Sequence, residues 1–318
     1  MYPVIAIVGP TASGKSDLSL HLAERFNGEI VNYDSVQIYR HLNIGTAKPA
    51  IEERARVPHH LIDIREPSDV FTAGDYQREA RLVLDQIRER RRIPVLVGGT
   101  GLYLRALTEG LFQGPTRSEY WRNRLEAIAE RRGREYLHRI LVKLDPASAS
   151  RIATRDKPKI IRAIEVCLET GKSLSTNFEE NPGDPLTGYE VCFIGLNPSR
   201  HELYRRIDQR VHRMFDKGLV EEVRQLLARG IPRTAKPLEA IGYRHILADP
   251  DSCNPQAETI RIIQRDTRRY AKRQITWFRK QPKVTWFDGP GDSEIIKDEV
   301  HRFLRKFLSN FLGGSYGK

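Results

Sequence analysis

The sequence predicts an α/β fold: a parallel sheet with helices on both faces, interrupted by an inserted helical domain. Three observations carry this. Short apolar runs alternate with helical patterns through residues 1–114. The run at 4–9 (V-I-A-I-V-G) is continuously apolar and closes in glycine, as a strand buried on both faces does. From 116 to about 180 helical stretches follow one another without a convincing strand.

Taken in order, 16–26 places Leu18, Leu20, Leu22 and Phe26 on a helical face. Residues 29–34 (E-I-V-N-Y-D) form a second strand ending in Asp34, and 61–64 form a short strand beside His59-His60. Residues 72–92 make a long charged helix with Tyr76, Ala80, Val83, Leu84 and Ile87 on one side. Residues 93–97 are a third strand, followed by Gly98-Gly99-Thr100-Gly101. The pattern changes after Gly114-Pro115, and the breaker cluster N-P-G-D-P-L-T-G at 181–188 ends the helical stretch. Residues 189–196 return as a strand, 199–281 are mostly helical, and 284–287 form a last edge strand. The expected organisation is a core of 1–114 and 189–318, with basic C-terminal helices, and a helical insertion at 115–188 that clamps a nucleic acid.

Composition is that of a globular protein, 39% hydrophobic and 30% charged over 318 residues. No stretch approaches the roughly 20 apolar residues of a membrane span, and the N-terminal run lacks the basic flank of a signal peptide. Cys167, Cys192 and Cys253 lie far apart with no C-x-x-C pair, which predicts reduced thiols and a cytoplasmic protein rather than disulfides or a zinc site. His59-His60 has no further ligand at useful spacing and reads as a satisfied pair. The net charge of +12 is uneven: 1–114 holds 14 basic and 14 acidic residues, 115–318 holds 39 and 27. A neutral half joined to a basic half predicts a small-ligand site beside a polyanion-binding surface.

Gly9-Pro10-Thr11-Ala12-Ser13-Gly14-Lys15-Ser16 matches G-x-x-x-x-G-K-[ST] in full, after a strand and opening a helix. Glycines let backbone N–H groups curl toward phosphate oxygens, the helix N-terminus adds partial positive charge, Lys15 brings an ammonium, and the Ser16 hydroxyl suits Mg²⁺. The fold expectation sharpens to a P-loop NTPase-like sheet binding a diphosphate or triphosphate. The 93–97 strand ends in glycines, not in the Asp of a motor or GTPase, and N-K-x-D is absent. Transferases and small kinases remain.

Ligands of open α/β sheets bind at the carboxyl ends of the strands. Asp34 there is a candidate general base, an outer-shell Mg²⁺ partner, or a turn cap. Thr100 reaches the same cleft. Residues 261–280 hold Arg261, Arg265, Arg268, Arg269, Lys272, Arg273, Arg279 and Lys280 against one acid, Asp266, with Tyr270, Trp277 and Phe278 interleaved. That suits phosphate contacts and base stacking on one helix face and core packing on the other. A smaller cluster, Arg151, Arg155, Lys157, Lys159 and Arg162, lies in the insertion.

With these pieces in place, the chain resembles the tRNA dimethylallyltransferase (tRNA isopentenyltransferase) family along most of its length. The matching stretches are G-P-T-A-S-G-K-S (9–16), D-S-V-Q-I-Y-R (34–40), I-G-T-A-K-P (44–49), H-H-L-I-D (59–63), G-G-T-G-L-Y (98–103), R-A-I-E-V (162–166), A-I-G-Y-R (240–244) and A-K-R-Q-I-T-W-F-R (271–279). The resemblance implies transfer of a dimethylallyl group from dimethylallyl diphosphate to the exocyclic amine of the adenine 3′ of a tRNA anticodon, with Mg²⁺. Asp34 then accepts the amine proton; residues 9–16 hold the donor, with Ser16 near the metal; Lys15 and Arg210 neutralise the departing diphosphate. It also implies tRNA contacts from Asp34, Ser35, Val36 and Gln37, from Pro158, Lys159, Ile160, Ile161 and Arg162, and from Glu239, Ala240, Ile241, Gly242, Tyr243 and Arg244. Thr100 and Arg122 line the nucleotide's path. The expected partner is the anticodon stem-loop, met by a monomer. A small-molecule or nucleotide kinase and a non-catalytic RNA-binding switch are the alternatives.

Overall fold

The computed structural model describes residues 1–112, 114–248 and 256–311. The chain divides into two units: residues 1–108 with 186–318, and residues 109–185. Both boundaries fall a few residues before the composition changes.

The first unit is built on six parallel strands: β1 (Tyr2–Val8), β2 (Gly28–Asn32), β3 (His59–His60), β4 (Ile93–Val97), β5 (Tyr189–Leu196) and β6 (Val284–Phe287), in the spatial order β3-β2-β4-β1-β5-β6. Around them stand α1 (Lys15–Arg25), α2 (Ile51–Arg56), α3 (Ala73–Glu89) and α4 (Gly101–Thr108). The alternation of β1 sorts its side chains into two cores. Val4, Ala6 and Val8 join the α3 residues Tyr76, Ala80, Leu84 and Ile87, while Ile5 and Ile7 join Leu18 and Leu22 of α1. A strand covered on both faces has no polar side to show, hence its unbroken apolar run. The α3 helix begins at Thr72, whose side chain accepts from Asp75 N while Asp75 reaches back to Thr72 N at 2.8 Å, a reciprocal cap.

Two expectations need correction. The second strand stops at Asn32, so Asp34 lies two residues past its end, in the turn. The edge strand is His59–His60 itself, not 61–64: Leu61 and Asp63 take positive φ values of 59° and 56°, which no strand accommodates. His60 Nε2 bonds the buried Glu29 carboxylate at 2.7 Å, a carboxylate that Arg90 also grips.

The second unit holds α5 (Glu119–Arg132), α6 (Arg134–Leu144), α7 (Pro146–Arg151), α8 (Lys157–Thr170) and α9 (Leu174–Glu180). Leu125, Leu137, Leu141, Ile160, Ile161 and Ile164 form its core. Asp145 caps α7 through Ser148 N at 3.0 Å and also accepts from Ser175 N and Oγ, joining α7 to α9.

The chain then returns to the first unit with α10 (Arg200–Asp216), α11 (Leu219–Ala228), α12 (Tyr243–Ala248), α13 (Gln256–Phe278) and α14 (Glu294–Ser309). Among the described residues no helix is long and apolar enough to cross a membrane. Cys167 and Cys192 are buried free thiols; Cys253 lies outside the described residues.

Candidate active site

The loop between β1 and α1 turns at Gly14, with φ 83°, where a Cβ would stand 2.7 Å from Gly291 N. Gly291 N donates to Ser13 O at 2.8 Å, so the 289–292 segment backs the loop. Lys15 folds under it, 9% exposed, its Nζ donating to Gly9 O at 3.0 Å and Pro10 O at 2.7 Å. Burial, with a smaller push from Arg210, lowers its ammonium to about 7, and Asp34 partly counters this. The Ser13 hydroxyl is fully buried with no hydrogen-bond partner among the described residues.

Two arginines of α10, one turn apart, do different work. Arg206 is committed: its Nε donates to Ala12 O at 2.9 Å and its Nη2 to Asp292 at 2.8 Å, clamping the loop from outside. Among the described residues Arg210 makes only a 3.4 Å bond to Thr46 O, and it borders the cavity. Burial holds its guanidinium below its ordinary value, and Asp34 pulls it back up. Of the two, Arg210 is the cation left available to an anion.

Asp34 sits where two cavities meet. One, about 210 Å³, is walled by the P-loop, Lys15, Ser16, Gln37, Arg206 and Arg210. The other, about 330 Å³, is walled by Ser35, Val36, Met214, Glu239, Ala240, Ile241 and Ile263. Thr11, Asp34, Thr46, Arg210 and Tyr270 border both. Asp34 Oδ1 accepts from Val36 N at 2.9 Å and Gln37 N at 3.4 Å; for Oδ2 no hydrogen-bond partner exists among the described residues. Thr100 braces this turn, its Oγ1 accepting from Ser35 N at 2.9 Å and donating to Ser35 Oγ at 3.0 Å. Gln37 Nε2 donates to Thr46 O at 3.1 Å. Burial, reinforced by the Asp34 charge, raises the Tyr270 phenol.

The structure therefore brings residues 9–16, Asp34–Gln37, Thr100, Arg210 and Glu239–Ile241 around one pair of cavities. Tyr243, expected to touch RNA, does not reach it: the ring is fully buried beneath Gly45, its hydroxyl donating to Glu222 Oε1 at 2.6 Å. Gly242 is also buried, and Arg244 is exposed and paired with Asp266.

In the helical unit Ile160 and Ile161 are likewise core residues, because the apolar face of α8 points inward and their side chains fill that core. Pro158 and Lys159 are exposed in the first turn of α8. Arg122 and Arg162 both bind the fully buried Glu165, at 3.2 Å and 2.9 Å, and Arg162 also donates to Pro115 O. Burial raises the Glu165 carboxyl, but the bonds from Arg162, Ser118 N and Arg122 outweigh it and leave it below its ordinary value.

This arrangement has known relatives. The IPP transferase family matches residues 37–281. The chain belongs to that family. It is 48% identical to the tRNA dimethylallyltransferase of Koribacter versatilis, covering 95% of this chain and 98% of that one, and 49% identical to the tRNA dimethylallyltransferase of Solibacter usitatus, covering 96% and 99%. Among solved structures it resembles the full-length tRNA isopentenylpyrophosphate transferase of Bacillus halodurans, with 41% identity, a TM-score of 0.71 and 98% of each chain covered. It also resembles a eukaryotic dimethylallyltransferase acting on tRNA, with 27% identity, a TM-score of 0.79, and 98% of this chain and 80% of that one covered.

Within this IPP transferase two positions escaped the sequence reading. Glu222 accepts from Asn43 N, Ile44 N, Gly45 N and Tyr243 OH, at 2.6 to 3.1 Å, tying the I-G-T-A-K-P block to the A-I-G-Y-R block. Nothing in its helical neighbourhood announces this, since the partners come from far along the chain. Gln274 carried a signal: it falls on the buried stripe of α13 with Ile263, Ala271 and Phe278, and a polar residue on an apolar stripe needs partners.

Proposed function

We propose that this chain transfers a dimethylallyl group from dimethylallyl diphosphate to the N6 amine of the adenine 3′ of the anticodon in tRNA. The observation that carries this is the position of Asp34, between a cationic phosphate-loop cavity and a second, more apolar one. In this reading the diphosphate occupies the first cavity and the adenine enters through the second. The allylic C–O bond breaks and the N6–C bond forms, the electron pair of the broken bond leaves with the diphosphate, and Asp34 Oδ2 takes the amine proton. Lys15, Arg210 and the loop N–H groups meet the charge that builds on the leaving group. Holding a poor nucleophile beside base and allylic carbon supplies much of the rate.

The orphaned Ser13 hydroxyl and the half-neutral Lys15 are what a loop awaiting an anion presents. The same loop would suit Mg²⁺: the Ser16 hydroxyl, which lines the cavity, is the side chain that would hold it beside the donor's phosphates. Bound there, Mg²⁺ supplies further charge neutralisation at the diphosphate. The basic face of α13 and the exposed Arg151, Arg155 and Lys159 of the helical unit provide phosphate contacts for the anticodon stem-loop, with that unit as the clamp. In this reading the enzyme acts as a cytoplasmic monomer.

Incubating the protein with Mg²⁺, tRNA and radiolabelled dimethylallyl diphosphate tests the reading. Label appearing in the anticodon-adjacent adenine supports it. Transfer of γ-phosphate from ATP to a small acceptor, with no use of the prenyl donor, would replace it with a kinase.

A further inference from the structure

We propose that Gln274 is a positioning residue whose side-chain amide sets the spacing between the phosphate loop and the Asp34 turn. The inference rests on the transferase reading above. Its Oε1 accepts from Thr11 N at 2.8 Å, and its Nε2 donates to Gly99 O at 2.9 Å. One planar amide thus spans two loops more than 80 residues apart in sequence. The two ends are not interchangeable, because Thr11 N–H needs an acceptor and the Gly99 carbonyl a donor.

Each of the two loops touches a reacting part of the site. Thr11 belongs to the phosphate loop. Gly99 packs directly on the Asp34 carboxylate: a Cβ there would stand 2.8 Å from Gln274 Nε2 and 3.1 Å from Asp34 Oδ2. Its neighbour Gly98 lies against the Tyr33–Asp34 backbone, and Thr100 holds Ser35. Gln274 is 5% exposed and rigidly mounted on a 23-residue helix that also packs Phe278 and Ala271 in the core. Donor phosphates and proton acceptor are therefore referenced to one side chain. Neither loop depends on Gln274 to form, since Lys15, Arg206 and Gly291 shape the first and Thr100 and Asn32 the second. The sheet pairing of β1, β4 and β2 and the bond from Tyr33 OH to Ile7 O set their coarse spacing, and Tyr270 OH shares the Gly99 carbonyl at 3.3 Å; what Gln274 adds is the one side chain bonded to both Thr11 and Gly99 among the described residues.

The test compares wild type with Gln274→Met and Gln274→Glu, using dimethylallyl diphosphate and an anticodon stem-loop RNA. Single-turnover transfer by Gln274→Met is expected to fall about 100-fold, the scale of a misplacement near 1 Å, while dissociation constants for both substrates stay within about threefold. Gln274→Glu keeps the acceptor for Thr11 N–H but aims a carboxylate at the Gly99 carbonyl. Its rate relative to wild type is expected to rise about tenfold between pH 8 and pH 6, as the buried carboxyl regains a proton to donate. The corresponding ratio for Gln274→Met stays flat.

Wild-type transfer with an unchanged Gln274→Met rate overturns this inference alone. So does an equal loss of binding and rate, a pH-flat Gln274→Glu ratio, or failure of Gln274→Glu to fold, since each marks a merely structural amide. A wild-type protein that prenylates no RNA overturns the transferase reading and this inference with it.

Discussion

Replacing Lys15 by methionine should remove a pH-dependent penalty on folding while destroying the protein's grip on a diphosphate. Burial lowers this lysine from 10.5 to about 7. Between those values the unfolded chain binds a proton that the folded one sheds. The penalty is therefore fully present below pH 7, shrinks as pH rises, and vanishes above 10.5. It amounts to about 4 kcal/mol at pH 7.5 and about 1.5 kcal/mol at pH 9.5, a change of about 2.5 kcal/mol across the window. Methionine removes this term and adds an offset from the lost bonds to Gly9 O and Pro10 O, which pH does not alter. The pH slope is thus the diagnostic. Urea unfolding of both proteins at pH 7.5, 8.5 and 9.5 measures it. The stability difference, variant minus wild type, should fall with each step. A difference constant to within about 0.5 kcal/mol across the series would refute a desolvated lysine.

Four further expectations follow from the same geometry. Above pH 7, diphosphate binding should take up a proton at Lys15, read as a dependence of the calorimetric enthalpy on the buffer's ionisation enthalpy. Asp34→Ala should slow transfer by about 10²- to 10⁴-fold with donor binding retained, measured by single turnover and equilibrium titration; undiminished turnover removes the base assignment. Gly99→Ala, whose methyl would crowd Gln274 Nε2 and Asp34 Oδ2, should lower the transfer rate about 100-fold in the same assay. Affinity for tRNA should fall steeply as salt is added, and a flat response in filter binding would remove the basic surfaces from RNA recognition.

Much of the fold is legible in the chain because its signals are local. The unbroken run at 4–8 announces a strand covered on both faces, and Gly14 followed by Lys15-Ser16 announces a phosphate loop, since both patterns answer to neighbours within one turn or one strand. The strand at His59–His60 is not legible because two residues carry no period, and of the positive φ values that end it, the one at Leu61 belongs to a residue type that rarely takes them, although Asp63 is a type that tolerates them. Ile160, Ile161 and Tyr243 lie in stretches that match the family, but a shared motif does not distinguish a residue that touches RNA from one that holds up its neighbour.

From the sequence alone came the α/β class, the phosphate loop, the identity of Asp34 and the basic character of the C-terminal half. Tertiary structure alone decided that Arg206 is committed to the phosphate loop and to Asp292, that Asp34 stands between two cavities, and that Gln274 and Glu222 join loops distant in the chain. The physical reason is one of range. Periodicity and turn chemistry act over a few residues and leave their mark in composition. A hydrogen bond between distant residues depends on where packing brings two backbones, and no local pattern records that.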